Sequence, residues 1–542
     1  MVIAYFSMEI ALEDGLKNYA GGLGILAGDI LKSAADLDLP FVGLTLLNNH
    51  GYFEQKVNEN GVQSALPIAA DRSQLSKLSV QTKIKIGDEE VTIGAWQYVV
   101  KGQGGATVPV YFLDTNLPEN KEEFRSLTDY LYGGDQEYRL QQEIILGEGG
   151  VALLNALHYE VARYHLNEGH SALAALSLFL SSKAGPTSEK IAEVRRQCVF
   201  TTHTSVQAAQ DIFPKELFFK YQAAFPAELS ELINNNQINL TELGVFLSGS
   251  LNAVSNLHQK VVAEIFRERA VAVVTNGVHS VAWTAPEYKK LYDKYLPGWR
   301  EKNDILKEAI KIPLAEIYDA HAIEKKRLFA YIEKAQDLKL DEGALTIGFA
   351  RRMVMYKQAT LLLSDPGRLL NIQNKFGRLQ IIYAGKAHPQ DEEGQQIIKD
   401  IYNFKKKYAG QLEIVFLENY EIPLAKLLSS GVDLWLNTSL PSNEASGTSG
   451  MKAAHNGVPQ LSTFDGWWGE GYVPGQTGWL INEQRKIYDV LEQEILPLYY
   501  QAPEKWTELC RSTISLNASR FNTERVVKQY MSDIYKLDIN NK

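Results

Sequence analysis

At 542 residues the chain exceeds what one hydrophobic core usually serves, so two large domains are expected. Its 45% hydrophobic and 22% charged composition is that of a globular enzyme and argues against disordered or fibrous classes. A net charge of −10 argues against a general nucleic-acid binder, so any anionic substrate needs a local basic cluster; two cysteines, Cys198 and Cys510, are too few for a disulfide framework and point to a reducing compartment, the cytoplasm.

The start, Met1 to Glu9, is apolar but lacks a basic leader and meets Glu9, Glu13 and Asp14, so it reads as a first buried strand and fits a signal peptide poorly. No apolar run is long enough to span a bilayer. Next comes Tyr19-Ala-Gly21-Gly22-Leu23-Gly24, followed by helical periodicity: glycines before a helix start let backbone N–H groups approach an anion, although a lone loop of this kind is usually a structural turn. Apolar, β-branched-rich runs at 2–6, 41–47, 108–113, 161–166 and 199–202 alternate with helical segments, as in βαβ units of a parallel sheet. Polar residues crowd the ends of three strands: His165-Leu-Asn167-Glu168-Gly-His170, Thr201-Thr-His203-Thr204 and the segment from Asn252 to His258. The pair His165 and His170 suggests a metal only with a third convergent ligand, which nothing in the sequence supplies.

A domain boundary is expected near Asn252, dividing the chain into 1–255, 256–515 and a helical segment 516–542. After a charged helical stretch at 305–340, strands recur at 345–350, 379–384, 412–417 and 433–437. Each runs into a polar or charged loop, and in open α/β sheets the ligand crevice lies outside these C-terminal strand ends. One such loop, Arg351-Arg352-Met-Val-Met-Tyr356-Lys357, suits a dianion, since arginine offers a planar fork and lysine a compact charge. Another is Ser442-Asn-Glu444-Ala445-Ser446-Gly447-Thr448-Ser449-Gly-Met-Lys452, where a Gly/Ser/Thr loop offers amides for a phosphate and the lysine offers a nitrogen for an aldehyde cofactor.

This last segment, continuing through Pro459, Thr463 and Asp465-Gly-Trp-Trp468, resembles the pyridoxal-phosphate lysine motif of the α-glucan phosphorylases, and the resemblance runs in order from Tyr5 to about Tyr472. It implies two Rossmann-like α/β domains facing across a cleft, the B-type glycosyltransferase fold, with the C-terminal helical segment returning to the first. Pyridoxal 5′-phosphate on Lys452 is then implied, with Arg351, Tyr420, Thr448 and Ser449 around it. Arg352, Lys357, His203 and the Gly22 and Leu23 amides would serve catalysis and hold inorganic phosphate, while Asn252, Glu444, Ala445, Ser446, Gly447 and His170 would bind glucosyl groups. Val354-Met355 stands where the family commonly has His-Glu, and Ala20 where longer members often have Asn. The chain is similar in size to compact bacterial and archaeal members. No phosphorylation switch or nucleotide activator site of the animal kind is expected, and a homo-oligomer is left open.

The activity implied is reversible phosphorolysis of an α-1,4-glucan or maltodextrin to glucose 1-phosphate with retention. Neither nucleic acid, membrane nor metal is an expected partner. Retaining transferases that use nucleotide sugars, such as glycogen synthases, are the nearest alternative: they often carry two glutamates separated by seven residues, and here Glu444 and Lys452 occupy those positions. An aldehyde cofactor explains that lysine; a ribose does not. A catalytically silent carbohydrate binder would have no reason to keep both anion sites, and a hydrolase would need two flanking carboxylates that cannot be paired from sequence. The pair Trp467-Trp468 fits either a sugar-stacking surface or core packing.

Overall fold

The computed structural model describes residues 1–204, 210–222, 225–484 and 486–537. They form two compact units, each discontinuous in sequence: Met1–Tyr52, Pro67–Thr275 and the segment from Val526 make the first, Phe53–Leu66 and Asn276–Arg525 the second. The expectation divided the chain at 255/256 and 515/516. In the structure residues 256–275 stay with the first unit because Val271–Val273 is the edge strand of its sheet.

That sheet has nine strands in the order Val271–Val273, Ser250–Ala253, Cys198–Thr201, Val161–Asn167, Val2–Phe6, Phe41–Leu46, Thr107–Asp114, Glu89–Lys101 and Ser76–Ile86. The first seven run parallel; the last two are an antiparallel extension paired to Thr107–Asp114. Phe41–Leu46 is buried at every position, as expected for a parallel strand covered on both faces. The chain starts at Val2–Phe6, winds one way through Phe41–Leu46, then reverses to Val161–Asn167 on the other side. The crevice of this sheet therefore opens at the C-terminal ends of Val2–Phe6 and Val161–Asn167.

The second unit holds six parallel strands in the order Glu413–Leu417, Leu379–Ala384, Leu345–Ala350, Leu434–Asn437, Gln460–Thr463 and Gly478–Ile481. Counted in chain order this is 3-2-1-4-5-6, the doubly wound arrangement whose switch point lies between Leu345–Ala350 and Leu434–Asn437.

The closing segment is helical at Thr523–Gln529 and Tyr530–Tyr535 and packs in the first unit, where Val526, Tyr530, Met531, Ile534 and Tyr535 join the core beside Ile3, Phe41 and Val199. Trp467 and Trp468 are core residues: both are buried and meet edge to face at 5.3 Å. No described helix is long and apolar enough to cross a membrane.

Candidate active site

The switch point of the second unit carries a buried charge cluster. Arg351 leaves the end of Leu345–Ala350, and across from it Asn437 ends the strand Leu434–Asn437, with Ser439 and Glu444 in the loop that follows. Arg351 Nη1 donates to Asn437 Oδ1 and, at 2.8 Å, to Ser439 Oγ, while Nη2 donates to Glu444 Oε2 at 2.6 Å. Lys357 Nζ donates to the same carboxylate oxygen, and Ser439 Oγ to it at 3.1 Å. One buried carboxylate thus serves two buried cations, leaving a surplus of positive charge that suits an oxyanion.

Titration follows from that imbalance. Burial pushes the Glu444 carboxyl up, but Arg351 and then Lys357 outweigh it and bring it down to about 2. Burial and then Arg351 push the Lys357 ammonium down, against Glu444, to about 7. The two shifts share a cause, because Arg351 attracts the carboxylate and repels the lysine. Asp465 fixes the loop beneath, accepting the Ser442, Glu444 and Gly466 N–H groups at 3.1, 2.9 and 2.8 Å. Burial lifts its carboxyl to about 6.

Lys452 lies on the short helix Ser449–Ala454 after this loop, buried, its Nζ 4.0 Å over the ring of Trp283. Asn456 holds that arrangement: its Nδ2 donates to the carbonyls of Lys452 and Trp283, both at 2.9 Å, and its Oδ1 accepts from the Ala285 N–H. Gly447 has φ +72°, a left-handed conformation that favours glycine, and Ser446 Oγ is buried without a hydrogen-bond partner among the described residues. Ala445 lies between them and Glu444. Thr448 caps the helix without a side-chain hydrogen bond, and Ser449 Oγ accepts from Trp435 Nε1 at 3.2 Å. Tyr420 is half-buried; burial pushes its phenol up, while the charge of Arg351 acts the other way. Arg352 is exposed.

In the first unit the crevice is lined by the loops that leave the two switch-point strands. Asn167 joins these strands: its Nδ2 donates to Ser7 Oγ at 3.1 Å, and its Oδ1 accepts from His203 Nε2 at 2.7 Å. Glu168, at φ 81° and ψ 171°, holds the next loop, its Oε2 accepting the His203 N–H at 2.6 Å and the Thr204 hydroxyl at 3.0 Å. Burial lifts that carboxyl to about 7 and lowers His203 to about 3, the latter helped by His258. His170 is buried, pushed well down by burial and by Arg139, and its Nε2 has no partner among the described residues.

Asn252 is fully buried, its Oδ1 accepting from Thr201 Oγ1 at 2.7 Å and its Nδ2 donating to Tyr530 OH at 3.3 Å. The structure brings it together with His165 and the closing segment more than with His203. His165 is a satisfied core residue between Tyr535 OH and Thr201 Oγ1, and among the described residues no group of three or more His, Cys, Asp or Glu is placed for a metal ion. Gly22 and Leu23 open the 15-residue helix Gly22–Asp36, whose N-cap residue is Gly21.

Comparison with known proteins identifies the chemistry this frame belongs to. The chain is 36% identical to a maltodextrin phosphorylase of Thermococcus litoralis over 99% of its length and 71% of the relative's. It is 35% identical to a glycogen phosphorylase of Aquifex aeolicus (98% and 86%) and 34% identical to one of Mycobacterium bovis (98% and 70%). A carbohydrate phosphorylase model matches residues 220–468. The chain belongs to the carbohydrate phosphorylase family. A starch synthase catalytic-domain model matches residues 54–275, a span that excludes Arg351, Glu444 and Lys452.

Within the phosphorylase frame, sequence reasoning misses the residues that hold the others. Glu9 reads in the sequence only as an early charge. It is 4% exposed and its Oε2 accepts the Ala20 and Gly21 N–H groups at 2.6 and 3.2 Å, with Tyr132 OH on Oε1 at 2.9 Å, so it shapes the loop that presents Gly22 and Leu23. Asp465 and Asn456 act likewise. A lone polar letter after an apolar strand is the signal that could have found Glu9 and Asp465; Asn456, which follows the helix Ser449–Ala454, carries no such signal.

Proposed function

We propose that the chain catalyses reversible phosphorolysis of α-1,4-glucans, (glucosyl)n and phosphate giving (glucosyl)n−1 and α-glucose 1-phosphate, with pyridoxal 5′-phosphate held on Lys452. The observation that carries this reading is the cation cluster of Arg351 and Lys357 on the single carboxylate Glu444, on the same strand-end loop that leads to buried Lys452. A hydrolase has no use for such an anion site.

The residues fit the cofactor: Lys452 supplies a buried amine, Ser446 Oγ a hydroxyl without a partner among the described residues, Gly447 a loop without a Cβ, and Arg351 a fork for the 5′-phosphate. Thr448, Ser449, Ala445 and Tyr420 are assigned to its surroundings. When bound, the cofactor supplies an ionisable phosphate, in place of the electron-sink chemistry its ring performs elsewhere. Arg352 and Lys357 are assigned to inorganic phosphate, whose negative charge stabilises an oxocarbenium-like carbon and whose proton meets the departing oxygen. In the first unit Gly22 and Leu23 are assigned to an oxyanion, and His203, Asn252 and His170 to glucosyl binding. The buried free thiols of Cys198 and Cys510 support a cytoplasmic setting.

Borohydride reduction of the purified protein followed by peptide mapping tests the assignment, with a phosphate-dependent assay on maltodextrin. The label is expected on Lys452 and the product is glucose 1-phosphate; a label absent from Lys452, or transfer that needs a nucleotide sugar, overturns the reading. Lys357→Ala is expected to abolish phosphorolysis while the cofactor absorption stays in place.

A further inference from the structure

Residues 53–66 leave the first unit's sequence and pack in the second as a hairpin of Glu54–Val57 against Gln63–Leu66. Its inner residues are glutamines. Gln55 is fully buried: Nε2 donates to Gly385 O at 2.9 Å and to Gln63 Oε1 at 2.8 Å, and Oε1 accepts the Asn419 N–H at 3.0 Å. Its backbone N–H and carbonyl are taken by Asn419 Oδ1 and Nδ2 at 2.6 and 3.0 Å. Gln63 adds both backbone groups of Ala387.

These contacts fall on the loops after the two successive strands beside the one that carries Arg351, Leu379–Ala384 and Glu413–Leu417. Gly385 has φ +157°, and a Cβ there would lie 1.9 Å from the Arg351 carbonyl oxygen, so its backbone is pressed directly against that of Arg351. Asn419, at φ +54°, precedes Tyr420, whose phenol lies in the field of Arg351. Only a side chain that both donates and accepts satisfies the two loops at once, and leaving either group buried and unpaired is unfavourable.

We infer that Gln55 is a positioning residue for the Arg351 anion site, acting through Gly385 on one side and Asn419 on the other. The inference rests on the assignment of Arg351 to the cofactor phosphate. Gln55→Glu is nearly isosteric and keeps the acceptor toward Asn419, but sets a carboxylate oxygen against Gly385 O and Gln63 Oε1.

The test uses the full chain loaded with pyridoxal phosphate, following its release into a carbonyl scavenger by absorbance and measuring KM for phosphate and for glucan. Gln55→Glu is expected to release cofactor about tenfold faster and raise the phosphate KM about tenfold, with the glucan KM within about twofold. Ser64→Ala, on the exposed side of the hairpin, should match the parent. If Gln55→Glu loses its native near-ultraviolet dichroism, Asn419→Ala, which removes the side-chain bonds to the Gln55 backbone and keeps the N–H that Gln55 Oε1 accepts, must show the faster release. A folded Gln55→Glu or Asn419→Ala with unchanged release and phosphate KM overturns the inference. A parent protein that carries no pyridoxal phosphate on Lys452 overturns the functional proposal instead.

Discussion

At Glu444 one carboxylate oxygen accepts from Arg351, Lys357 and Ser439, so any added anion meets Lys357 before its proton is secure. With the Lys357 ammonium held near 7 by burial and Arg351, a bound oxyanion raises it again and binding takes up a proton. Anion affinity is therefore full below about pH 7 and falls as pH rises through that value, by up to about tenfold per pH unit. Sulfate, which does not titrate in this range, is the probe for calorimetry; Lys357→Arg should bind it with a flat profile between pH 6 and 8. The cations of this cluster were legible because they stand close together after an apolar run. Glu9, Gln55 and Asp465 were not: each bonds backbone groups in other loops, and a single polar letter carries no period.

The strands that frame the site show the same division at the level of elements. Leu345–Ala350 and Leu379–Ala384 are buried at every position and read directly as parallel strands. Ser76–Ile86, on the sheet edge, alternates exposed lysines and glutamine with half-buried Leu78 and Val80 and buried Ile84 and Ile86, a period-two pattern that an account built on continuous apolar runs passes over; the 54–66 hairpin is mostly polar and does not stand out. What locks the switch-point strands together at their other ends is also polar. Asp433, just before Leu434–Asn437, accepts from Lys325 at 2.7 Å, from the Thr346 N–H at 2.7 Å and from His321 at 2.8 Å. Burial pushes its carboxyl up, but Lys325 and His321 prevail and hold it below the usual range. Its contribution is present above an unfolded value of about 3.9 and is lost as pH falls through the lower folded value. Asp433→Asn, which strands buried Lys325, is expected to cost about 3–5 kcal/mol in urea unfolding at pH 7, the deficit shrinking below about pH 4.

Over the whole molecule, each unit depends on a piece of chain remote from the rest of it. In the first, Val526, Val527, Tyr530, Met531, Ile534 and Tyr535 are buried in the core, and at about 1.5–3 kcal/mol each their loss is on the order of a domain's entire stability. A chain ending at Arg525 is expected to be cleaved by protease throughout residues 67–275 at orders of magnitude the rate of the parent; equal resistance would contradict this. The two-sheet architecture was legible in the alternation of strands and helices, and the return of the C-terminal helical segment to the first unit was expected from the family resemblance; the placement of residues 53–66 in the second unit was not, because a short, largely polar hairpin carries no address in its own sequence. The late return of that segment also sets an order of events during synthesis. At roughly 5–20 residues per second, the first 275 residues emerge tens of seconds before the stretch that completes their core. Over that interval the nascent sheet presents Ile3, Phe41 and Val199 without their cover, so ribosome-bound holding factors should engage this half of the polypeptide and let go only once the stretch from Val526 has emerged.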